Sequence, residues 1–229
     1  MELTLESAFS TGGLVGHLSY ILLVISMLMR RLGPLRVLVI LSAFVAILYD
    51  WVWLKDPVGV FWESLLVLVN IAQLTLAWRA NRRARFTAEE AAFVSARLTD
   101  LRPGEARRLL NRGVWIDGAP GLRLTTEGEP VSHLVWIASG EAEIAYRGRV
   151  FTRCRAGNFI GEMSVVEEGP ASADATLSAP ARLWLISGAA VRRLWRDEPE
   201  LAAALEKAFS RDWREKLAAH RPEAEEAAA

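Results

Sequence analysis

Apolar residues fill most of the first eighty positions in three long runs, at about Leu14–Met29, Leu35–Leu54 and Val58–Trp78. A helix needs roughly 20 largely apolar residues to cross a bilayer. The second and third runs have that length, and the first has it if the helix begins near Thr11. The pattern therefore predicts a membrane domain, residues 1–80, with three transmembrane helices at about 11–30, 35–54 and 58–78.

A cleaved signal peptide is the other interpretation of the first run. The leading segment carries Glu2 and Glu6 instead of basic residues, and no small-x-small cleavage site precedes the second run. The first run is therefore expected to remain in the protein as a membrane helix.

The positions of the arginines predict an orientation. Arginines flank the turn between the first two runs and follow the third at Arg79–Arg85, whereas the second turn holds only Lys55. Because short basic loops stay in the cytosol, we expect a multi-pass protein of the cell membrane with its N-terminus outside. The chain beyond Trp78 is then cytosolic.

Three polar residues of the third run, Glu63, Asn70 and Gln73, share one helical face. Hydrogen bonding between helices, at about 0.6–2 kcal/mol per contact, is the favoured interpretation. A pore or transport path is the alternative, although no selectivity-filter sequence occurs.

The second half of the chain has a different texture. Beyond a capping box at Thr87 and Glu90, the pattern predicts short helices from Ala88 to about Leu98 and at Gly104–Asn111. Glycine and proline then recur between brief apolar or alternating runs, which is typical of a small sandwich or jelly roll. The predicted strands are Leu122–Thr125, His133–Ala138, Ala142–Tyr146, Val150–Arg153 and Ala175–Ile186, with a hairpin at Arg147-Gly148.

A helical pattern returns at Ser187 and is broken at Pro199. The apolar residues of this pattern from Leu201 to Leu217 either pair with their copy in a homodimer or cover the β-rich part of the same chain. A disordered tail is expected at residues 222–229. We call the following residues the apolar stripe: Leu201, Leu205, Phe209, Trp213 and Leu217.

Composition narrows the function. Lys+Arg and Asp+Glu both number 27, so the net charge is zero and nothing indicates nucleic acid as a partner. Cys154 is the only cysteine and the histidines are scattered, so no metal site is expected. No P-loop, dinucleotide fingerprint or nucleophile with a motif-defined base occurs, so we expect no enzyme and no catalytic residue.

Three landmarks follow one another in the second half: Thr126-Glu127-Gly128-Glu129, Leu134–Ile144 with its central glycine, and Ala156–Ser164, with Pro170 and Ala175-Thr176 beyond them. The series resembles the cyclic nucleotide-binding domain, whose phosphate-binding cassette the third landmark would open. The resemblance covers about residues 98–217. Together with the three apolar runs, it implies an α+β membrane protein in which three transmembrane helices precede a β-roll (jelly roll) with flanking helices, at residues 81–221.

The arrangement is also similar to the Popeye domain family, which joins three spans to such a domain. The similarity lies in Asn70 and its apolar run, the basic exit, the Tyr146-Arg147-Gly148 hairpin and Glu198-Pro199. Popeye proteins carry Asp-Ser-Pro-Glu and Phe-Gln-Val-Thr at two positions. This chain has Gly161-Glu162-Met163-Ser164 and Ala173-Asp174-Ala175-Thr176 there, which predicts a Popeye-like architecture with a more conventional Gly-Glu cassette.

The resemblance implies a cyclic nucleotide as ligand and no cofactor. Glu162 would accept a hydrogen bond from the ribose 2′-hydroxyl, and Gly161 opens a short helix whose N–H groups can seat an anion. The other interpretation of Glu162 is a carboxylate stabilised by the helix dipole without a ligand. The predicted ligand-binding residues are Gly161, Glu162, Met163, Ser164, Ser172, Asp174 and Thr176.

One departure from the family pattern affects affinity. Conventional cassettes place an arginine just after the proline, where this chain has Ala171, and no Lys or Arg occurs from Ala156 to Ala181. A charged hydrogen bond contributes roughly 1.5–3 kcal/mol, so its loss weakens binding about 10- to 100-fold. The candidate replacements on neighbouring strands are Arg123, Arg147 and Arg153.

Two non-enzymatic functions remain open. A membrane-tethered sensor would bind a cyclic nucleotide and shift the helices of Ser187–Leu217. A ligand-free assembly module would instead join copies of the chain, or membrane partners, through the apolar stripe.

Overall fold

The computed structural model describes residues 9–29 and 31–226. The chain divides into two compact units, residues 1–80 and 81–229. Arg30, at the end of the first expected span, and residues 227–229 of the expected tail lie outside the described residues.

Unit 1 is helical. Two of its apolar segments, Leu32–Leu54 and Pro57–Arg83, are long enough to cross a membrane by length and composition. The first helix has 17 residues, fewer than the roughly 20 that a span needs. Three spans are therefore not shown. The elements among the described residues of this unit are α1 (Thr11–Met27), α2 (Leu32–Tyr49), a π-helical turn (Asp50–Leu54) and α3 (Pro57–Arg83).

Small residues let α1 and α2 approach each other closely. A Cβ on Gly12 would lie 2.7 Å from the Trp53 ring, and the Ser42 hydroxyl donates to the Ser19 carbonyl at 2.7 Å. Asn70 of α3 is buried and accepts a hydrogen bond from the Arg36 guanidinium of α2 at 3.3 Å. Asn70 therefore makes the kind of interhelical contact that the polar face predicts.

Unit 2 opens with α4 (Ala88–Arg97) and α5 (Pro103–Leu110). The capping box is confirmed: Thr87 Oγ1 accepts from the Glu90 amide, and Glu90 Oε2 accepts from the Thr87 amide at 2.8 Å. Both helices begin within a residue of their expected positions.

The described part of unit 2 contains two four-stranded antiparallel sheets, ordered β1-β8-β3-β6 and β2-β7-β4-β5. The segment expected as one strand, Ala175–Ile186, divides at residues 178–180 because Pro180 has no N–H for a central ladder. The strands are β1 (Val114–Gly118), β2 (Arg123–Thr125), β3 (His133–Ser139), β4 (Glu141–Tyr146), β5 (Arg149–Arg155), β6 (Phe159–Ile160), β7 (Asp174–Leu177) and β8 (Ala181–Ser187).

Three helices complete the unit: α6 (Glu162–Glu167), α7 (Gly188–Asp197) and α8 (Pro199–Glu226). The break at Pro199 agrees with the sequence pattern. Helix α8 continues past residue 222, where a disordered tail was expected, to Glu226.

Strand β3 is buried on both faces. Val135 and Ile137 pack inside the sandwich, whereas Leu134 and Trp136 pack against the helices. Phe93 of α4 stacks on the Trp136 ring with centroids 4.1 Å apart, at the centre of an aromatic cluster. The helices therefore cover the outer face of one sheet and leave the other sheet more open.

The apolar stripe of α8 divides into two parts. The side chains of Leu201, Leu205 and Phe209 are at most 2% exposed and belong to this core, so in this chain they cover the sheet. Trp213 is 37% exposed and Leu217 is 72% exposed. Three of the five residues predicted at a homodimer interface are thus not on the surface.

We expect Gly140→Ala to destabilise unit 2 by about 2–4 kcal/mol. Gly140 has φ +93°, and a Cβ there would lie 2.6 Å from the Pro180 carbonyl oxygen. Urea unfolding of the full chain in detergent, followed by near-ultraviolet circular dichroism, measures the effect.

Gly148→Ala is the matched control, because Gly148 has φ +74° with nothing within 4 Å of the added carbon. It should cost only about 1 kcal/mol for the left-handed backbone. Equal losses in the two variants would contradict the tight β3–β4 corner.

Candidate functional site

A cleft of about 1080 Å³ opens in the β-roll. Its lining comes from four parts of the unit: strand β5, the Gly161–Ser164 turn, residues 171–173 and the segment of α8 around Lys216. Its position is set by β6, which pairs with β3 and delivers the chain into the turn at Gly161.

Five of the predicted ligand-binding residues line this cleft: Gly161, Glu162, Met163, Ser164 and Ser172. Gly161 has φ +81°, and a Cβ there would lie 2.9 Å from the Val131 side chain, so the turn needs glycine for two reasons. The structure therefore brings the predicted cassette together around the Glu162 carboxylate.

Asp174 and Thr176 do not line the cleft. Alternate residues of a strand point to opposite faces, and on β7 it is Ala175 that lines the cleft. Asp174 instead accepts a hydrogen bond from the Glu127 amide at 2.9 Å. The sequence pattern placed both residues in the cassette without fixing which face they occupy.

The cations of the cleft come from outside the cassette. Ala171, at the position of the conventional arginine, is 6% exposed and lines the cleft. Among the three candidate replacements, Arg153 lines it, and its guanidinium pairs with Glu141 at 3.2 Å and Glu143 at 3.0 Å. Arg155 and Lys216 are the other cationic residues along the lining.

Glu162 is held by two donors from α8. Its side chain is buried, and its Oε1 accepts from Trp213 Nε1 and from Lys216 Nζ, both at 2.9 Å. Lys216 Nζ also donates to the Phe159 carbonyl at 2.7 Å and pairs with Asp212 Oδ2 at 2.7 Å. We call the contacts of Trp213 and Lys216 with Glu162 the Glu162 latch.

The charge of Lys216 is stabilised by its surroundings. Burial lowers the pKa of the ammonium group, but the adjacent carboxylates of Glu162 and Asp212 outweigh burial and raise that pKa overall. Lys216 is therefore a cation at neutral pH, and the latch is a charged contact.

Asp212 anchors this part of α8. Its side chain is 0% exposed and accepts from Asn158 Nδ2 at 2.9 Å and from the Phe159 amide at 3.3 Å. Arg97 of α4, which is 6% exposed, lies 3.5 Å from the same carboxylate. A buried carboxylate must be paired and hydrogen-bonded, and these donors meet that requirement.

Sequence reasoning missed Lys216 and Asp212 as parts of the site. Their spacing of four residues is the one available signal, since such pairs meet on a helix surface. The sequence does not show which side of α8 faces the cleft, and Trp213 was assigned to the apolar stripe alone.

Residues 119–198 match the family of the cyclic nucleotide-binding domain. The chain therefore carries a cyclic nucleotide-binding domain over this range, as the cassette resemblance predicted. Nothing in the match is specific to the Popeye family, which stays a prediction. No curated protein matches the sequence.

Three bacterial structures are similar to parts of this chain, and the first, with a TM-score above 0.5, shares the fold. A protein of Geobacter metallireducens GS-15, described as cyclic nucleotide-binding, is 17% identical with a TM-score of 0.52 and covers 58% of this chain and 99% of its own. A cyclic nucleotide-binding domain of Methylobacillus flagellatus KT is 22% identical (TM-score 0.49; 56% and 79% covered). The catabolite activator protein of Thermus thermophilus is 25% identical (TM-score 0.45; 53% and 59% covered).

We expect the Cys154 thiol to react with iodoacetamide at pH 8 about 100-fold more slowly in the folded chain than in the denatured one. Cys154 lines the cleft and is 5% exposed, and burial raises its pKa from 9.0 to about 11. The reactive thiolate is correspondingly rare, and the stability that the protonated thiol provides below pH 9 is lost as the pH rises through about 11.

Because Cys154 is the only cysteine, mass spectrometry of the intact chain reads its modification directly. Chain unfolded in guanidinium is the control. Equal rates in the two states would contradict the burial of the Cys154 side chain.

Proposed function

We propose that this chain is a membrane-anchored, non-enzymatic regulatory protein whose β-roll binds cyclic AMP or a related cyclic nucleotide around Glu162. The observation that carries the proposal is a cleft that gathers the Gly161–Ser164 turn, Ser172 and a buried carboxylate in one place. Its volume of about 1080 Å³ is sufficient for a nucleotide, because small-molecule pockets measure roughly 300–1,000 Å³.

The lining suits the parts of such a ligand. Glu162 can accept a hydrogen bond from a ribose hydroxyl, Ser172 can donate to a phosphate oxygen, and apolar side chains such as Ile144 and Val150 can contact a base. The weak point is the phosphate, since Ala171 stands where an arginine would bind it. We therefore expect an affinity about 10- to 100-fold below that of a conventional cassette.

Unit 1 supports a membrane anchor. The apolar side chains of its helices are largely exposed in this chain, for example Trp62 at 61% and Leu68 at 63%, whereas the core helix of a soluble protein buries them. Lipid is the natural environment for such helices. In the proposed orientation the N-terminus is outside and the β-roll is cytosolic, in a Popeye-like arrangement.

A ligand-free assembly module is the second candidate. It is favoured by the exposed Trp213 and Leu217, and by the fact that Glu162 already has partners within the chain. Because Leu201, Leu205 and Phe209 are buried, such an interface would depend on Trp213 and Leu217 of α8. Nucleotide titration separates the two candidates, because the assembly module binds none.

We expect Ala171→Arg to tighten the binding of cyclic AMP or cyclic GMP about 10- to 100-fold, because it restores the missing charged hydrogen bond at a position that lines the cleft. Isothermal titration calorimetry of the full chain in detergent measures the affinity. Adenosine, which lacks the phosphate, should gain nothing from the substitution.

Ala171→Met is the control of similar length without a charge, and it should not tighten binding. If the wild type and Ala171→Arg both fail to bind either nucleotide at millimolar concentration, the ligand-binding proposal is contradicted and the assembly module is preferred.

The full chain is also expected to stay in the membrane pellet after an alkaline carbonate wash, because two apolar helices of 23 and 27 residues hold it there. A variant that begins at Asn81, and so lacks the membrane-spanning parts of both helices, should be released to the supernatant. Release of the full chain by carbonate would contradict the anchor.

A further inference from the structure

The segment of helix α8 from Trp213 to Leu217 lines the cleft beside Glu162, the residue that a ligand's ribose would contact. We propose that the Glu162 latch is an internal competitor of the nucleotide, so that binding displaces the segment from Trp213 to Leu217 from the cleft. The inference rests on the proposed function, because it names the residues that a ligand of the Glu162 site must move.

The hydrogen-bond geometry argues for competition. Oε1 of Glu162 already accepts from the Trp213 indole and the Lys216 ammonium, each at 2.9 Å. Both donor residues line the same cleft as the cassette turn. A ligand hydroxyl that bonds this oxygen therefore competes with the indole and the ammonium group for it.

Lys216 does not provide a ready replacement for the missing arginine. An ammonium group has three N–H donors, and Lys216 has three close acceptors in Glu162, Asp212 and the Phe159 carbonyl, at 2.7–2.9 Å. Binding a phosphate would require it to give up one of these contacts. Lys216 therefore pairs with the Glu162 and Asp212 carboxylates and has no N–H donor left for a ligand phosphate.

The anchor at Asp212 limits which part of the helix moves. Asp212 is fully buried and bonded to the start of β6, whereas Trp213 and Leu217 are 37% and 72% exposed. Beyond Asp212 the helix is held by the latch and by the ion pair of Glu215 with Arg97. Displacement would thus also change the partners of Arg97 on α4, the first helix after unit 1.

The opposite mechanism is a lid, in which Trp213 and Lys216 close over a bound ligand. The two mechanisms predict opposite signs for the same substitution. A lid residue contributes to affinity and its removal weakens binding, whereas removal of a competitor strengthens binding.

The test measures cyclic AMP and cyclic GMP affinity and amide hydrogen exchange in the full chain in detergent. We expect Trp213→Phe, which removes one donor without changing charge, to tighten binding about three- to tenfold. Trp195→Phe is the matched control. The Trp195 indole donates to the Glu206 carboxylate over the same distance, 2.9 Å, but neither residue lines the cleft. It should leave the affinity unchanged.

Nucleotide should speed the exchange of the amides from Trp213 to Leu217 in the wild type. Slower exchange there, together with weaker binding by Trp213→Phe, would overturn the proposal in favour of a lid.

A ligand-free measurement separates this inference from the proposed function. Glu162→Gln removes the charge that Lys216 pairs with, so exchange of the same amides should rise without any nucleotide. If binding occurs but Glu162→Gln leaves exchange unchanged, the latch alone is wrong. Glu162→Gln could instead speed exchange while neither the wild type nor Trp213→Phe binds nucleotide. That result would contradict both the proposed competition and the proposed function.

Discussion

The fully buried carboxylate of Asp212 is the interaction on which the site depends. Its oxygens accept hydrogen bonds from the Asn158 side chain and from the Phe159 amide at the start of β6. The carboxylate also pairs with Arg97 of α4 and with Lys216 of its own helix. A buried ion that loses its partners costs about 3–5 kcal/mol, so this arrangement fixes α8 on the β-roll. The position of the helix in turn decides which side chains reach Glu162.

A consequence is that side chains of α8 occupy the carboxylate in the candidate cleft that a ligand would use. Glu162, the residue best suited to a ribose hydroxyl, is paired with Trp213 and Lys216. The cations along the lining are engaged by carboxylates, as Arg153 is by Glu141 and Glu143. Under the proposed function, the missing arginine and the occupied carboxylate act in the same direction, since both are expected to lower the affinity for a nucleotide.

Local signals made most of the fold predictable. The capping box at Thr87 and the break at Pro199 fixed helix ends, because side-chain caps and proline act on neighbouring backbone groups. Strands β1 and β6 were missed. β6 has only two residues, which is too short for an alternating pattern to show.

The site was predictable only in part, and the reason is orientation. Gly161 and Glu162 were predicted from the resemblance to the phosphate-binding cassette, a local motif whose turn needs glycine at its start. The outward direction of Asp174 depends on the register of β7 with β2 and β4. The approach of Lys216 to Glu162 depends on packing between residues 54 positions apart, which no motif encodes.

A structure of the full chain determined with cyclic AMP tests the central claim most directly. The account predicts the nucleotide in the cleft with its ribose hydroxyl on Glu162, and with Trp213 and Lys216 withdrawn from that carboxylate. A nucleotide bound elsewhere, or a cleft that stays empty at saturating cyclic AMP with both contacts intact, would contradict it.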